Sequence, residues 1–248
     1  MVLGLSRAIR GCLFDMDGVL TRTAELHTAA WQEMFDEFLR AWSAWHDSVF
    51  QPFDPDTDYG EYVDGKPRAD GARSFLASRG IDLPDGEPDD PPGTWTVEGL
   101  ANRKNDIVLT TLRADGVAVY DGSLRYLRAA RDAGLKCAVV SSSEHTSQVL
   151  DAAGITGLFD ARVDGTTARH DHLPGKPAPD MYLVGAAAVD LPASACAVFE
   201  DATAGVEAGH AGGFGLVVGV DRIGHPDRLR AHGADVVVSD LAELLDRR

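Results

Sequence analysis

Beyond residue 115, short apolar runs alternate with amphipathic stretches, and the period of each run predicts its element. The expected order is helix 123–133, strand 136–141 (KCAVVS), helix 145–153, short strand 161–164, helix 179–189, strand 196–200 (CAVFE), helix 204–211 and strand 215–220 (GLVVGV). A last strand, 235–239 (DVVVS), precedes a short C-terminal helix. Uninterrupted apolar runs, rather than alternating ones, suit parallel strands covered by helices on both faces. The pattern predicts a doubly wound α/β parallel sheet.

The first half has a different texture. Residues 10–15 (RGCLFD) form an apolar run ending in an acid, and Met16-Asp17-Gly18-Val19-Leu20 then reads as a turn. From Thr23 an amphipathic helix is expected, with Leu26, Ala30, Met34 and Phe38 along one side and Trp31, Phe35 and Trp42 beside them. Thr23 is the expected N-cap, and Glu25 places a negative charge in the first turn. The remaining residues up to about 115 are helical and loop material without a strand pattern. Among them, 82–93 holds Pro84, Pro88, Pro91 and Pro92 among five acids and reads as a solvated loop. The first strand must join the sheet to satisfy its backbone. The chain therefore divides into a core of 1–21 and 115–248 and a helical cap domain of 22–114 inserted after the first strand.

Composition narrows the function classes. With 44% hydrophobic and 25% charged residues the chain is ordinary globular material, which excludes collagen-like, low-complexity and disulfide-scaffold classes. A net charge of −16 repels phosphate backbones and anionic lipid heads, so nucleic acid and membrane surfaces are not expected partners. An anionic substrate would need a local cluster of cations or backbone donors. Cys12, Cys137 and Cys196 each lie in an apolar run and cannot all pair, which suits a reducing compartment. No apolar stretch approaches the ~20 residues of a membrane span, and MVLGLSRAIR lacks a signal-peptide core, so a cytoplasmic protein is expected.

In open parallel sheets ligands bind at the carboxyl ends of the strands. There the sequence places Asp15 and Asp17, then Ser141, then Glu200 and Asp201, with Lys176 in the loop GKPAPD. Several carboxylates buried together call for a hard divalent cation, and Mg²⁺ suits an all-oxygen ligand set. A lysine and a hydroxyl beside them supply donors for the non-bridging oxygens of a phosphoryl group. Asp15 can act as nucleophile, and Asp17 can pass a proton to a leaving oxygen or take one from an incoming oxygen. Taken singly, Ser141 or the Glu200-Asp201 pair could equally cap a helix. Their recurrence at successive strand ends favours a site.

The motifs FDMDGVLT (14–21), VVSSS (139–143), GKPAPD (175–180) and FEDATAGVEA (199–208) make the chain resemble a haloacid dehalogenase superfamily phosphotransferase of the β-phosphoglucomutase subgroup. That resemblance implies a phosphorylated nucleophile at Asp15, an acid/base at Asp17, and phosphate ligands at Ser141, Ser142 and Lys176. It also implies magnesium held by Asp15, the Asp17 carbonyl, Glu200 and Asp201. In the cap it implies substrate contacts from His27 and Trp31 (TAELHTAAW), Arg68 (DGKPRADG) on a distal phosphate, and Lys104 and Asn105 (LANRKND) on the sugar. Ser143 and His145 join that set. His27 and Trp31 could instead simply pack together, and Arg68 and Lys104 could be solvated charges. Glu144-His145 stands where the subgroup usually has Lys-Asn, which puts an acid near the expected distal phosphate.

The implied reaction interconverts β-D-glucose 1-phosphate and glucose 6-phosphate through glucose 1,6-bisphosphate. The expected partner is a small phosphorylated sugar, and the expected state a monomer. The alternative is a sugar-phosphate phosphatase, in which water attacks the same phospho-aspartate. A phosphoaspartate signalling module also pairs acids with Ser/Thr and Lys. It wants about half this length and a phosphoacceptor after a middle strand.

Overall fold

The computed structural model describes residues 3–245 and divides into two compact units, Met1–Arg22 with Val117–Arg248, and Thr23–Gly116. In the first unit six parallel strands form one sheet in the order β3-β2-β1-β4-β5-β6. They are β1 (Gly11–Phe14), β2 (Lys136–Val140), β3 (Ala161–Val163), β4 (Cys196–Glu200), β5 (Leu216–Val220) and β6 (Val236–Val238). β1 lies between β2 and β4, with Phe14 opposite Val139 on one side and Phe199 on the other. The strand order reverses beside β1, so the residues just past β1, β2 and β4 share one edge.

Apart from Lys136, Arg162 and Glu200 at strand ends or on the edge strand, the strands are apolar because both faces are covered. Leu13, Val140 and Val198 pack with Met181 and Tyr182 of one helix on one face. On the other face Phe14 stacks on Phe199 at 4.6 Å and meets Tyr126 edge-on at 6.4 Å. Cys12, Cys137 and Cys196 are buried and free within these strands.

Four helices of this unit come in the expected order. Numbered with those of the second unit, they are α4 (Asp121–Asp132), α5 (Thr146–Ala152), α7 (Asp180–Ala188) and α8 (Thr203–Ala211). The pattern did not predict α9 (Pro226–Ala231), which opens on its proline, or the short α6 (Gly165–His170). α6 has no apolar period to betray it; the Asp164 side chain starts it by accepting from the Thr167 N–H. The expected C-terminal helix is a 3-10 turn, Leu241–Leu244, closed by a capping box between Asp240 and Glu243, and 246–248 lie outside the described residues.

The second unit is helical: α1 (Ala24–Trp45), a π-turn (Tyr59–Val63), α2 (Arg68–Ser78) and α3 (Val97–Asp115). α1 buries Trp31, Met34, Phe35 and Phe38, and Phe35 stacks between Trp31 at 5.2 Å and Phe53 at 5.5 Å, with Phe75 at 4.0 Å. Thr23 does stand at the N-cap of α1, but its backbone is already helical (φ −97°, ψ −9°) and its side chain makes no capping bond. A capping side chain needs an extended backbone to swing its oxygen over the first turn, so the expected Thr23 cap is corrected. Thr96 has that geometry (φ −133°, ψ 161°) and caps α3 by accepting from the Gly99 N–H. The 82–93 segment carries no helix or strand and is mostly exposed.

Candidate active site

β1 delivers Asp15 to the edge of the sheet, and the Asp15 N–H donates to the Phe199 carbonyl at 2.9 Å, which carries the pairing with β4 one residue further. β4 ends in Glu200, fully buried, with Asp201 next to it. Lys176, from the loop before α7 and joined to Pro177 by a cis peptide, reaches between them. Its ammonium donates to Asp15 Oδ1 at 2.5 Å, Glu200 Oε1 at 2.5 Å and the Val140 carbonyl at 3.2 Å, so all three of its protons are used. Tyr182 of α7 donates its hydroxyl to Glu200 Oε1 at 2.8 Å, and the Ala202 N–H reaches Glu200 Oε2 at 3.3 Å.

Burial pushes the Asp15 carboxyl well above the usual carboxylate range; Lys176 pulls it down, while Glu200 and Asp17 push it further up. Burial alone would lower Lys176, but Asp15 and Glu200 outweigh it and hold the ammonium charged above its usual value. One cation thus serves a group of carboxylates that outnumber it. Asp15, Glu200 and Asp201 each offer an oxygen, all within 4.8 Å of one another. An all-carboxylate set with surplus negative charge fits a hard divalent cation. The backbone is shaped for this crowding. Gly18 has φ +79°, and a Cβ there would strike the Asp201 carboxylate; a Cβ at Gly205 would strike that of Glu200.

Asp17 lies in a tight turn: the Leu20 and Thr21 N–H groups and the Thr21 hydroxyl all donate to the Met16 carbonyl, and the Gly18 N–H donates to Thr21 O at 2.9 Å. Ser141 follows β2 and is buried; its Oγ accepts from the Ser143 N–H at 3.1 Å, and Ser143 Oγ accepts from the His145 N–H at 3.2 Å. Ser142 is half-buried between them. His145 Nδ1 lies 2.7 Å from Gln148 Oε1. Glu144 is ion-paired with Arg169 of α6.

Of the substrate candidates, Ser143 and His145 lie in the first unit, and His27, Trp31, Arg68, Lys104 and Asn105 in the second. Lys104 Nζ is 2.6 Å from His27 Nδ1 and sits over the Trp31 ring at 5.0 Å from its centroid, so these three meet. A charged ammonium can only donate, so with Lys104 charged His27 Nδ1 is the acceptor of this contact. Arg68 opens α2 and donates to Asn102 Oδ1 at 3.4 Å, while Asn102 Nδ2 donates to the Pro88 and Asp90 carbonyls. Asn105 lies half-buried on α3. Tyr182, Arg169 and Asn102 had no signal in the sequence. Each is recognisable only by a contact across the fold from an otherwise ordinary helix position.

Residues 9–213 match the family model for haloacid dehalogenase-like hydrolases. The chain is 56% identical over 247 residues to β-phosphoglucomutases of Mycobacterium tuberculosis and Mycobacterium bovis, covering 98% of this chain and 94% of each relative. It is 30% identical to the Bacillus subtilis β-phosphoglucomutase over 95% of this chain and 92% of that protein. A crystal structure of a Clostridium difficile β-phosphoglucomutase superposes with a TM-score of 0.73 at 24% identity, over 95% of this chain and 93% of that one, which is a likeness of fold.

Proposed function

Because the chain belongs to the haloacid dehalogenase-like family, and within it to the β-phosphoglucomutase subgroup, we propose that it interconverts β-D-glucose 1-phosphate and glucose 6-phosphate through a phosphorylated Asp15. The observation that carries the reading is the 56% identity, over an alignment that spans the cap segment as well as the core. In the first half of the cycle the phosphoryl group of phospho-Asp15 passes to the free hydroxyl of the sugar phosphate. Asp17 takes the hydroxyl proton, and the Asp15 carboxylate leaves. The resulting glucose 1,6-bisphosphate turns round. Asp15 attacks its other phosphorus, and Asp17 returns the proton to the departing sugar oxygen.

Ser141 and Ser142 bind the non-bridging oxygens, and Lys176 joins them by exchanging one of its three bonds for the phosphoryl group. Lys176 is also what keeps Asp15 and Glu200 from repelling one another before substrate arrives. Mg²⁺ would be held by Asp15, Glu200, Asp201 and the Asp17 carbonyl, and when bound it neutralises charge on the transferring group. His27, Trp31, Lys104 and Asn105 would hold the sugar, and Arg68 with Ser143 and His145 the phosphate that is not in transfer. Three buried, unpaired thiols support a cytoplasmic setting. Among the described residues no helix is long and apolar enough to cross a membrane.

One observation bears on the phosphatase alternative. Glu144 would disfavour a second phosphate, but its ion pair with Arg169 offsets that charge, which supports the mutase. Asp15→Asn tests the nucleophile: an amide forms no acyl phosphate, so turnover is abolished and mass spectrometry finds no phosphorylated enzyme. A variant retaining a tenth of the rate would remove Asp15 from that role.

A further inference from the structure

The geometry assigns Arg222, in the loop after β5, as a positioning residue that fixes the catalytic turn. This rests on the phospho-aspartate reading above. Arg222 is 14% exposed, and every N–H of its guanidinium has an acceptor. Nε donates to the Gly18 carbonyl at 2.8 Å and Nη2 to the Val19 carbonyl at 3.2 Å. Nη2 also donates to Ser123 Oγ at 3.2 Å, and Nη1 to the Ser239 carbonyl at 2.8 Å and to Asp240 Oδ2 at 3.4 Å. The guanidinium lies over Tyr120, with Cζ 3.6 Å from the ring centroid, and the Tyr120 N–H donates to the Leu20 carbonyl at 3.0 Å. The root of the side chain is equally fixed, because Asp221 Oδ1 accepts from the N–H groups of Ile223, Gly224 and His225.

Two of the five acceptors belong to the turn just past the nucleophile. Gly18 is the residue after Asp17, and it lies so close to Asp201 that no side chain fits. A shift of the Gly18–Val19 peptide therefore displaces the Asp17 carboxylate on one side and presses on Asp201 on the other. Arg222 ties that peptide to the start of α4 and to the 239–240 segment, so the turn cannot slide without breaking its bonds to Arg222 or pulling Arg222 away from both of them. Lysine is only a partial substitute: it carries three donors on a point charge, with no planar fork to lie over Tyr120. The sequence offers no hint of this, since Arg222 stands about two hundred residues from its acceptors in the turn.

The test compares Arg222→Ala and Arg222→Lys with wild type, all loaded with Mg²⁺. It reads kcat and KM for β-glucose 1-phosphate and, separately, the rate at which acetyl phosphate labels Asp15. Arg222→Ala is expected to lose about 10- to 100-fold in kcat with KM within about threefold, as supporting residues behind a catalytic set do. Arg222→Lys recovers part of that loss, and millimolar guanidinium rescues Arg222→Ala but not wild type. Labelling does not depend on the sugar. Wild type that labels but fails to turn over the sugar phosphate would defeat the mutase reading alone, and the Arg222 comparison is then read on labelling. Folded Arg222→Ala with kcat and labelling rate at the wild-type level, or with its loss confined to KM, overturns the assignment. If Arg222→Ala does not fold, Arg222→Lys decides, and wild-type kcat in that variant is the overturning result.

Discussion

Asp15 and Asp17 are two residues apart and identical in chemistry, and their environments differ, as the two roles proposed for them require. Asp15 is buried against Lys176 and Glu200; Asp17 sits one step further along a turn braced by Thr21. Asp17→Asn keeps the nucleophile and loses the proton carrier, so turnover of sugar phosphates should fall ~10²–10⁴-fold. An activated aryl phosphate, whose leaving group needs no proton, should lose much less; equal losses for the two substrates would contradict the assignment. The raised Asp15 carboxyl also gives a pH signature. An acid raised in the fold binds its proton more tightly there than in the unfolded chain, so the metal-free protein loses stability as pH rises above the usual carboxylate range. Mg²⁺ competes with that proton. Its stabilising effect should therefore grow over the same window, with a larger gain in Tm at pH 8 than at pH 5 in thermal scans with and without chelator. Equal gains at both pH values would argue against Asp15 as a ligand.

The strands were the most legible elements and the short helices the least. β1, β2 and β4 announce themselves because burial on both faces leaves them almost wholly apolar, and the acids that follow β1 and close β4 then mark the site without further information. α6 and α9, six residues each, were invisible because local side-chain hydrogen bonds and a leading proline make them rather than any period. Thr23 shows the same limit at one residue: composition places a cap there, and only backbone angles say that it does not function as one. Tyr182 and Arg222 escaped because their contacts, to Glu200 and to Gly18, join segments far apart in the chain. The strand thiols carry a prediction. Burial pushes Cys196 up to about 11; burial and Asp160 push Cys137 up to about 12 against the pull of Arg131. All three cysteines should resist iodoacetamide at pH 8 in the native protein and react at once in denaturant, as counted by mass spectrometry. Rapid native labelling of any of them would mean that the sheet opens there.

At the scale of the whole molecule, a net charge of −16 coexists with a site that must receive a phosphorylated sugar. The solution is local. The first unit holds Lys176 beside a carboxylate set suited to a divalent cation, and under the proposed function Arg68 and Lys104 of the second add cations for the sugar phosphate. Family, fold and the core motifs were all readable from the sequence; the pairing of Glu144 with Arg169, which bears on mutase against phosphatase, was not, because Arg169 lies in the helix no pattern revealed. A phosphorus NMR time course with β-glucose 1-phosphate, Mg²⁺ and a trace of glucose 1,6-bisphosphate tests the central claim most directly. The glucose 1-phosphate resonance should be replaced by that of glucose 6-phosphate, with inorganic phosphate remaining minor, and Asp15→Asn should leave the spectrum unchanged. Accumulation of inorganic phosphate in step with substrate loss, without glucose 6-phosphate, would contradict it.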